Sequence, residues 1–236
     1  AAPRCATYSG LCSHRLMRRL WLVLLACCGA VHAQLSLSNS RLVFLPGVRQ
    51  VEMVVTNESD RLATVQAWVD ADEAQLAPED TLAPFLVTPP SSKIRPGASQ
   101  ILRVNYTGAA LTGDREQLYY LNILDIAPPA EKNAAANLMR LDVRSRFKVF
   151  VRPAGLRTDA RTAAQSLRWR IGPAGLASPP PQGAAPAGGP SMALVADNPS
   201  PYFLTLVNVR LMQGQKVLQT FEPRMAAPHG AARFST

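Results

Sequence analysis

At 236 residues, with 25 Lys+Arg against 16 Asp+Glu, the chain carries a formal charge of +9. That length suffices for one or two domains. The charge surplus is too weak by itself to argue for a nucleic-acid partner.

Residues 1–33 read as a leader. Met17-Arg18-Arg19 opens a basic stretch, "LWLVLLACCGAV" follows, and "VHA" precedes Gln34. A cationic start, a short apolar run and a small-x-small ending mark a secretory signal peptide, with cleavage expected after Ala33. The apolar run is too short to cross a bilayer comfortably, so no stable membrane anchor is expected.

Removing that leader strips most reactive chemistry from the chain. All the cysteines (Cys5, Cys12, Cys27, Cys28) lie within it, as do His14 and His32, leaving His229 as the remaining histidine. Arg4, Arg15, Arg18 and Arg19 go with them and no acid does, so 21 cations face 16 anions, a net of +5. A thiol nucleophile and a Cys/His metal cluster are excluded, and a Ser-His-Asp triad would have to use His229 in a Pro/Gly/Ala-rich tail. Neither GxSxG, HExxH nor a P-loop is present. The acids are scattered, and "DADE" (70–73) reads as a solvated turn. No enzyme, cofactor or metal is expected.

From Gln34 the chain reads as short strands with turn punctuation, the pattern of an all-β sandwich. "LSLSNSRLVFL" (35–45) predicts a first strand closed by Pro46-Gly47, and "VEMVVTN" (51–57) a second. "LATVQAWVDA" (62–71) alternates again, with Trp68 a core candidate. "FLVTPP" (85–90) suits an edge strand, because Pro89 and Pro90 cannot donate to a ladder. "RPGASQILRVNY" (95–106) is a turn followed by a strand, and "EQLYYLNILDI" (116–126) is the next.

The seventh strand is the unusual one. In "NLMRLDVRSRFKVFVRPAG" (137–155) the odd positions from Met139 to Val151 read Met, Leu, Val, Ser, Phe, Val, Val. The even ones read Arg140, Asp142, Arg144, Arg146, Lys148, Phe150, Arg152. That period of two belongs to a strand, here well over twice the usual length of about 5–6 residues. Its cations read as a solvated face, with steering of an acidic partner an alternative use.

Past Pro153 the composition shifts. "LRWRI" (167–171) and "MALVAD" (192–197) read as strands separated by a Pro/Gly/Ala-rich loop (172–190). "PYFLTLVNVRLMQ" and "KVLQTFEPRM" (216–225) predict a hairpin, and the end is weakly patterned. The expected division is 1–33 leader, 34–153 first domain and 154–236 second domain. About five strands are expected in the second, thin for a closed sandwich, so it reads as incomplete.

"PFLVTPP…RPGASQILRV", "GDREQLYYLNILDIAPP", "RSRFKVFVRPAGL" and "NPSPYFLTLVNV" resemble, in order and spacing, the periplasmic chaperones of chaperone–usher pili. The match spans roughly 35–225. Gln117 stands where that family usually has Ser or Thr, and Thr112 and Ala127 where it usually has Pro.

The resemblance implies two immunoglobulin-like sandwiches set in an L, and binding rather than catalysis. Such chaperones lend their seventh strand to pilin subunits that lack one, then deliver them to an outer-membrane usher in the periplasm. Met139, Leu141 and Val143 match the residues that fill the subunit's groove; without the resemblance they read as ordinary core positions. Arg41 and Lys148 match the pair that holds the subunit's C-terminal carboxylate. Glu116 and Arg152 match two members of a buried interdomain ion cluster, whose third member, a late Asp, has no counterpart here. The short "APPAEKN" loop resembles the class associated with rod-like pili. An immunoglobulin-like structural or adhesive module without strand donation is the competing class. A lectin-like sandwich is disfavoured by few, core-like aromatics.

Overall fold

The computed structural model describes residues 34–71, 77–109, 113–127, 141–156, 159–173 and 192–235. The leader, Met139, Arg140 and most of the Pro/Gly/Ala-rich segment lie outside the described residues, whereas Gly172 and Pro173 belong to a strand.

The first unit contains β1 (Leu35–Leu37), β2 (Arg41–Phe44), β3 (Gln50–Asn57), β4 (Ala63–Asp70), β5 (Phe85–Thr88), β6 (Ser91–Ile94), β7 (Ser99–Tyr106), β8 (Gln117–Ile126) and β9 (Val143–Val151). They form two sheets, ordered β1-β3-β7-β5 and β2-β9-β8-β4-β6. Seven strands were expected here and nine are present among the described residues. The expected first strand splits, because its start pairs with β3 and its end with β9. β6 follows directly on Pro90 and pairs with β4. Ahead of β7, Pro96 and a positive-φ Gly97 (φ 70°) form a turn closed by the Ala98 N–H donating to the Arg95 carbonyl at 3.0 Å.

Alternation builds the core. Met53 and Val55 of β3 and Leu102 and Val104 of β7 point inward from one sheet. Val65, Val69, Leu121, Ile123 and Val149 point inward from the other, with Leu42 and Phe44 of β2 closing the hinge end. Period 2 fails at the end of β9, where Val149, Phe150 and Val151 are all buried, and where β4 pairs with β8. Residues 67–70 of β4 and 120–123 of β8 are buried on both faces, although a sandwich sheet ordinarily turns one face to water.

After Pro153 comes one helical turn, α1 (Ala160–Ala163), then β10 (Arg168–Pro173), β11 (Met192–Asp197), β12 (Leu204–Leu206), β13 (Val209–Gln213), β14 (Lys216–Phe221), β15 (Arg224–Ala226) and β16 (Ala231–Ser235). These pair as β10-β11-β16, β12-β15 and β13-β14 around Ala196, Val209, Phe221, Ala226, Ala232 and Phe234. Among the described residues seven strands replace the expected five: the hairpin segments each break in two, and the weakly patterned end supplies β16.

Both units share one corner device. In the first, Asn57 donates through Nδ2 to the carbonyls of Arg61 (2.7 Å) and Ile94 (2.9 Å), and its Oδ1 accepts from the backbone N–H and hydroxyl of Ser59. In the second, Asn198 donates to the carbonyls of Tyr202 (2.7 Å) and Ala227 (2.9 Å) and accepts likewise from Ser200. Both asparagines are buried. Each completes its hydrogen bonding by capturing a chain reversal, the only low-cost way to bury an amide there.

Candidate functional site

β9 is paired unequally along its two edges. On one edge it runs antiparallel to β8 throughout, from Val143 opposite Asp125 to Val151 opposite Gln117. On the other it meets β2, in parallel, only from Lys148 to Val151. Among the described residues, 143–147 therefore have no strand on that outer edge. An edge of this kind presents unpaired backbone donors and acceptors to whatever strand approaches. Val143 is 52% exposed and Leu141, just ahead of the strand, 63%. They continue the inward-facing row of Phe147 and Val149 but extend beyond this unit's own core. The strand itself begins at Val143, so the long strand expected from Met139 is shorter among the described residues.

Arg41 and Lys148 are register partners where β2 begins. Parallel neighbours lie about 4.8 Å apart, so the two side chains can address a single anion. Arg41 is exposed and lines a cleft of ≈ 360 Å³ with Phe150 of β9, Arg152, and Leu204 and Thr205 of β12. The Lys148 Nζ donates to Met225 Sδ at 3.4 Å. A thioether is a weak acceptor, so this contact guides the ammonium without neutralising it. Met225 lies opposite Thr205 in the β12–β15 ladder, which places the contact on the cleft wall. Among the described residues Arg41 makes no ion pair and no group of acids, histidines or cysteines could hold a metal.

Glu116 and Arg152 meet at the junction. Glu116 Oε1 accepts from Arg152 Nε at 2.8 Å, and Oε2 accepts from the Phe203 N–H at 3.0 Å. The Arg152 guanidinium lies 5.1 Å from the Tyr202 ring centroid, and the Glu116 N–H donates to the Pro201 carbonyl at 2.8 Å. The Phe150 and Phe203 rings, 5.9 Å apart, add an apolar contact between the units. Backbone groups and an aromatic face thus satisfy the pair.

The solvated reading of Arg144 and Arg146 is overturned. Arg146 Nη2 lies 2.6 Å from Asp70 Oδ1, and Arg144 Nη2 lies 3.3 Å from Asp70 Oδ2. Asn122 Nδ2 donates to Asp70 Oδ2 at 2.8 Å, while Arg144 Nε donates to Asn122 Oδ1 at 3.0 Å. The Arg146 guanidinium stacks 3.9 Å from the Tyr120 centroid and that of Arg144 4.7 Å from Trp68. Asp70 is fully buried in β4, so the solvated turn expected at "DADE" is corrected for that residue, while Asp72 and Glu73 lie outside the described residues. This cluster covers the outer faces of β4 and β8 and accounts for their two-sided burial.

Comparison with known proteins places these features in a family. The model of the "Pili and flagellar-assembly chaperone, PapD N-terminal domain" matches residues 34–157, and that of the "Pili assembly chaperone PapD, C-terminal domain" matches 162–236. The chaperone protein HifB of Haemophilus influenzae is 30% identical over 212 residues, covering 88% of this chain and 79% of that protein. The crystal structure of the CupB2 chaperone of Pseudomonas aeruginosa is 30% identical, with a TM-score of 0.65 over 84% of this chain and 86% of that one. The fold also matches SafB of Salmonella enterica, solved in complex with the SafA pilin, at 24% identity and a TM-score of 0.63, covering 88% and 86% of the two chains.

Proposed function

The chain belongs to the family of pilus-assembly chaperones, and from that premise we propose that it captures pilin subunits by lending them β9. The observation that carries this reading is the outer edge of residues 143–147, which ends at the Arg41–Lys148 pair. A subunit strand lying there would gain main-chain hydrogen bonds from the edge while Leu141 and Val143 fill its apolar groove. Met139 extends the same alternation. The subunit's C-terminal carboxylate would accept charge-assisted bonds from Arg41 and Lys148, fixing register as well as affinity. Glu116 and Arg152 set the angle at which the second unit faces that strand.

The chaperone works in the periplasm, after cleavage at Ala33, and hands its subunit to an outer-membrane usher. Its domains divide as 34–153 and 154–236. The role is binding and requires no cofactor.

Titration with a synthetic peptide of alternating apolar residues tests the reading, with a free α-carboxylate in one version and a C-terminal amide in the other. The acid is expected to bind at least tenfold more tightly. No binding of either peptide rejects strand lending and favours a structural or adhesive module; equal binding of the two rejects the anchor alone.

A further inference from the structure

We propose that Asp70 is the positioning residue of the lent strand, holding residues 143–147 extended through Arg144 and Arg146 before any partner arrives. This rests on the strand-lending reading above and adds to it the device that keeps the strand ready.

The need for such a device follows from the pairing. A strand bonded on one edge only frays more readily than one bonded on both. The hinge half of β9, Lys148–Val151, is flanked by β8 and β2; the outer half has β8 alone. Both arginines fall in that outer half, at alternate positions that share one face of the sheet. Arg146 stands opposite Asn122 and Arg144 opposite Leu124, while Asp70 stands opposite Tyr120, nearer the hinge. Each guanidinium therefore reaches past β8 and along the strands to one carboxylate on β4. Trp68 and Tyr120 supply the ring faces on which the two guanidiniums lie. The clamp covers the same residues that β2 leaves uncovered.

An apolar cover over β4 and β8 would bury the sheet as well, but it would hold β9 only by contact. A fully buried carboxylate bound by two forked cations fixes direction too, because leaving it without them exposes a large desolvation cost. Pre-ordering of this kind raises the fraction of molecules whose edge can accept a strand, and apparent affinity scales with that fraction.

The test uses the full chain as wild type, Asp70→Asn and Arg146→Lys. Three quantities are compared: the unfolding midpoint, amide exchange in 143–147 against 148–151 and β3, and the association rate of the acid peptide described above. Asp70→Asn is expected to raise exchange at least tenfold in 143–147 while leaving 148–151 and β3 within twofold. Association should slow by a similar factor, with dissociation little changed. Arg146→Lys, which keeps the charge but loses the fork and the stack, should show the same pattern at two- to fivefold, and decides the matter if Asp70→Asn does not fold. A uniform rise in exchange that tracks a lower midpoint would mean that Asp70 only stabilises the fold, and the proposal fails. Local loosening with unchanged association also overturns it. Failure of the wild type to bind the peptide at all instead rejects the strand-lending reading.

Discussion

Glu116 reaches across the junction to Phe203, its carboxylate accepting that residue's backbone N–H at 3.0 Å while the other oxygen holds Arg152. One buried side chain thereby ties the end of the first sandwich to the start of β12. Glu116→Ala leaves both donors without their acceptor, a loss on the order of 2 kcal/mol. Chemical denaturation should show it, and a spin-label pair placed across the junction should report a broader distance distribution. An unchanged distribution would mean that Phe150–Phe203 contact alone fixes the angle.

Arg41→Ala and Lys148→Ala should each weaken binding of the acid peptide by about 2–3 kcal/mol. With both proposed to address one carboxylate, the double variant should lose much less than the two losses combined. Against the amide peptide all three variants should match the wild type. Additive losses in calorimetric titration would place the two cations on separate groups.

Leu141→Glu and Val143→Glu alter side chains more than half exposed in the free protein. Their unfolding midpoints should stay close to the wild type, while peptide capture falls by several kcal/mol, because the charge would enter an apolar groove unpaired. A collapse of cooperative unfolding would identify these residues as ordinary core.

Asn198→Ala should cost about 2–3 kcal/mol of stability, since it orphans the buried carbonyl of Tyr202 and the amide of Ser200 at once. Asn57→Ala should do the same in the first unit. Scanning calorimetry that separates two transitions would assign each loss to its own unit.

Burial raises the Tyr119 phenol above its ordinary value of 10.0, with nearby Tyr106 adding to the effect. The folded state thus favours the neutral phenol more than the unfolded state does. The resulting stability is complete below about pH 10 and is lost as pH rises through the raised value. Tyr119→Phe should flatten that alkaline decline, as followed by denaturation midpoints between pH 9 and 11.

How far residues were legible in the sequence depended on the distance over which they act. Alternation in 51–57, 62–71 and 116–126 announced β3, β4 and β8, because facing a core is a local property of a strand. Arg41 and Lys148 became visible only through a family resemblance, since nothing near either in sequence points to the other. Asp70 was misread for the same reason. Its partners lie 74 and 76 positions away, and charges at alternate positions look the same whether they face water or cover a second layer. Nothing near Asn57 or Asn198 in sequence marks them, and their buried hydrogen bonding emerges only once the strands around them are in place. β6 was missed because the prolines before it were read as the end of a strand.

The short parallel contact between β2 and β9 also acts as a ruler. Both β2 and any guest would use the same edge of β9, and β2 occupies it from Lys148 onward. A guest whose carboxylate sits at Arg41 runs parallel to β9, and its chain has to stop there, because the next berth is filled by Arg41 itself. On the strand-lending reading, chain ends would thus be admitted and internal segments excluded sterically, before any charge is recognised. From Val143 to Phe147 the open berth measures about 13 Å at ~3.3 Å per residue. One residue added to a guest's C-terminus would either push the carboxylate off the cations or slide the strand by one position. Such a slip turns every groove-facing side chain to the opposite face. On that reading, the same few backbone atoms that close the first sandwich would measure where the guest ends.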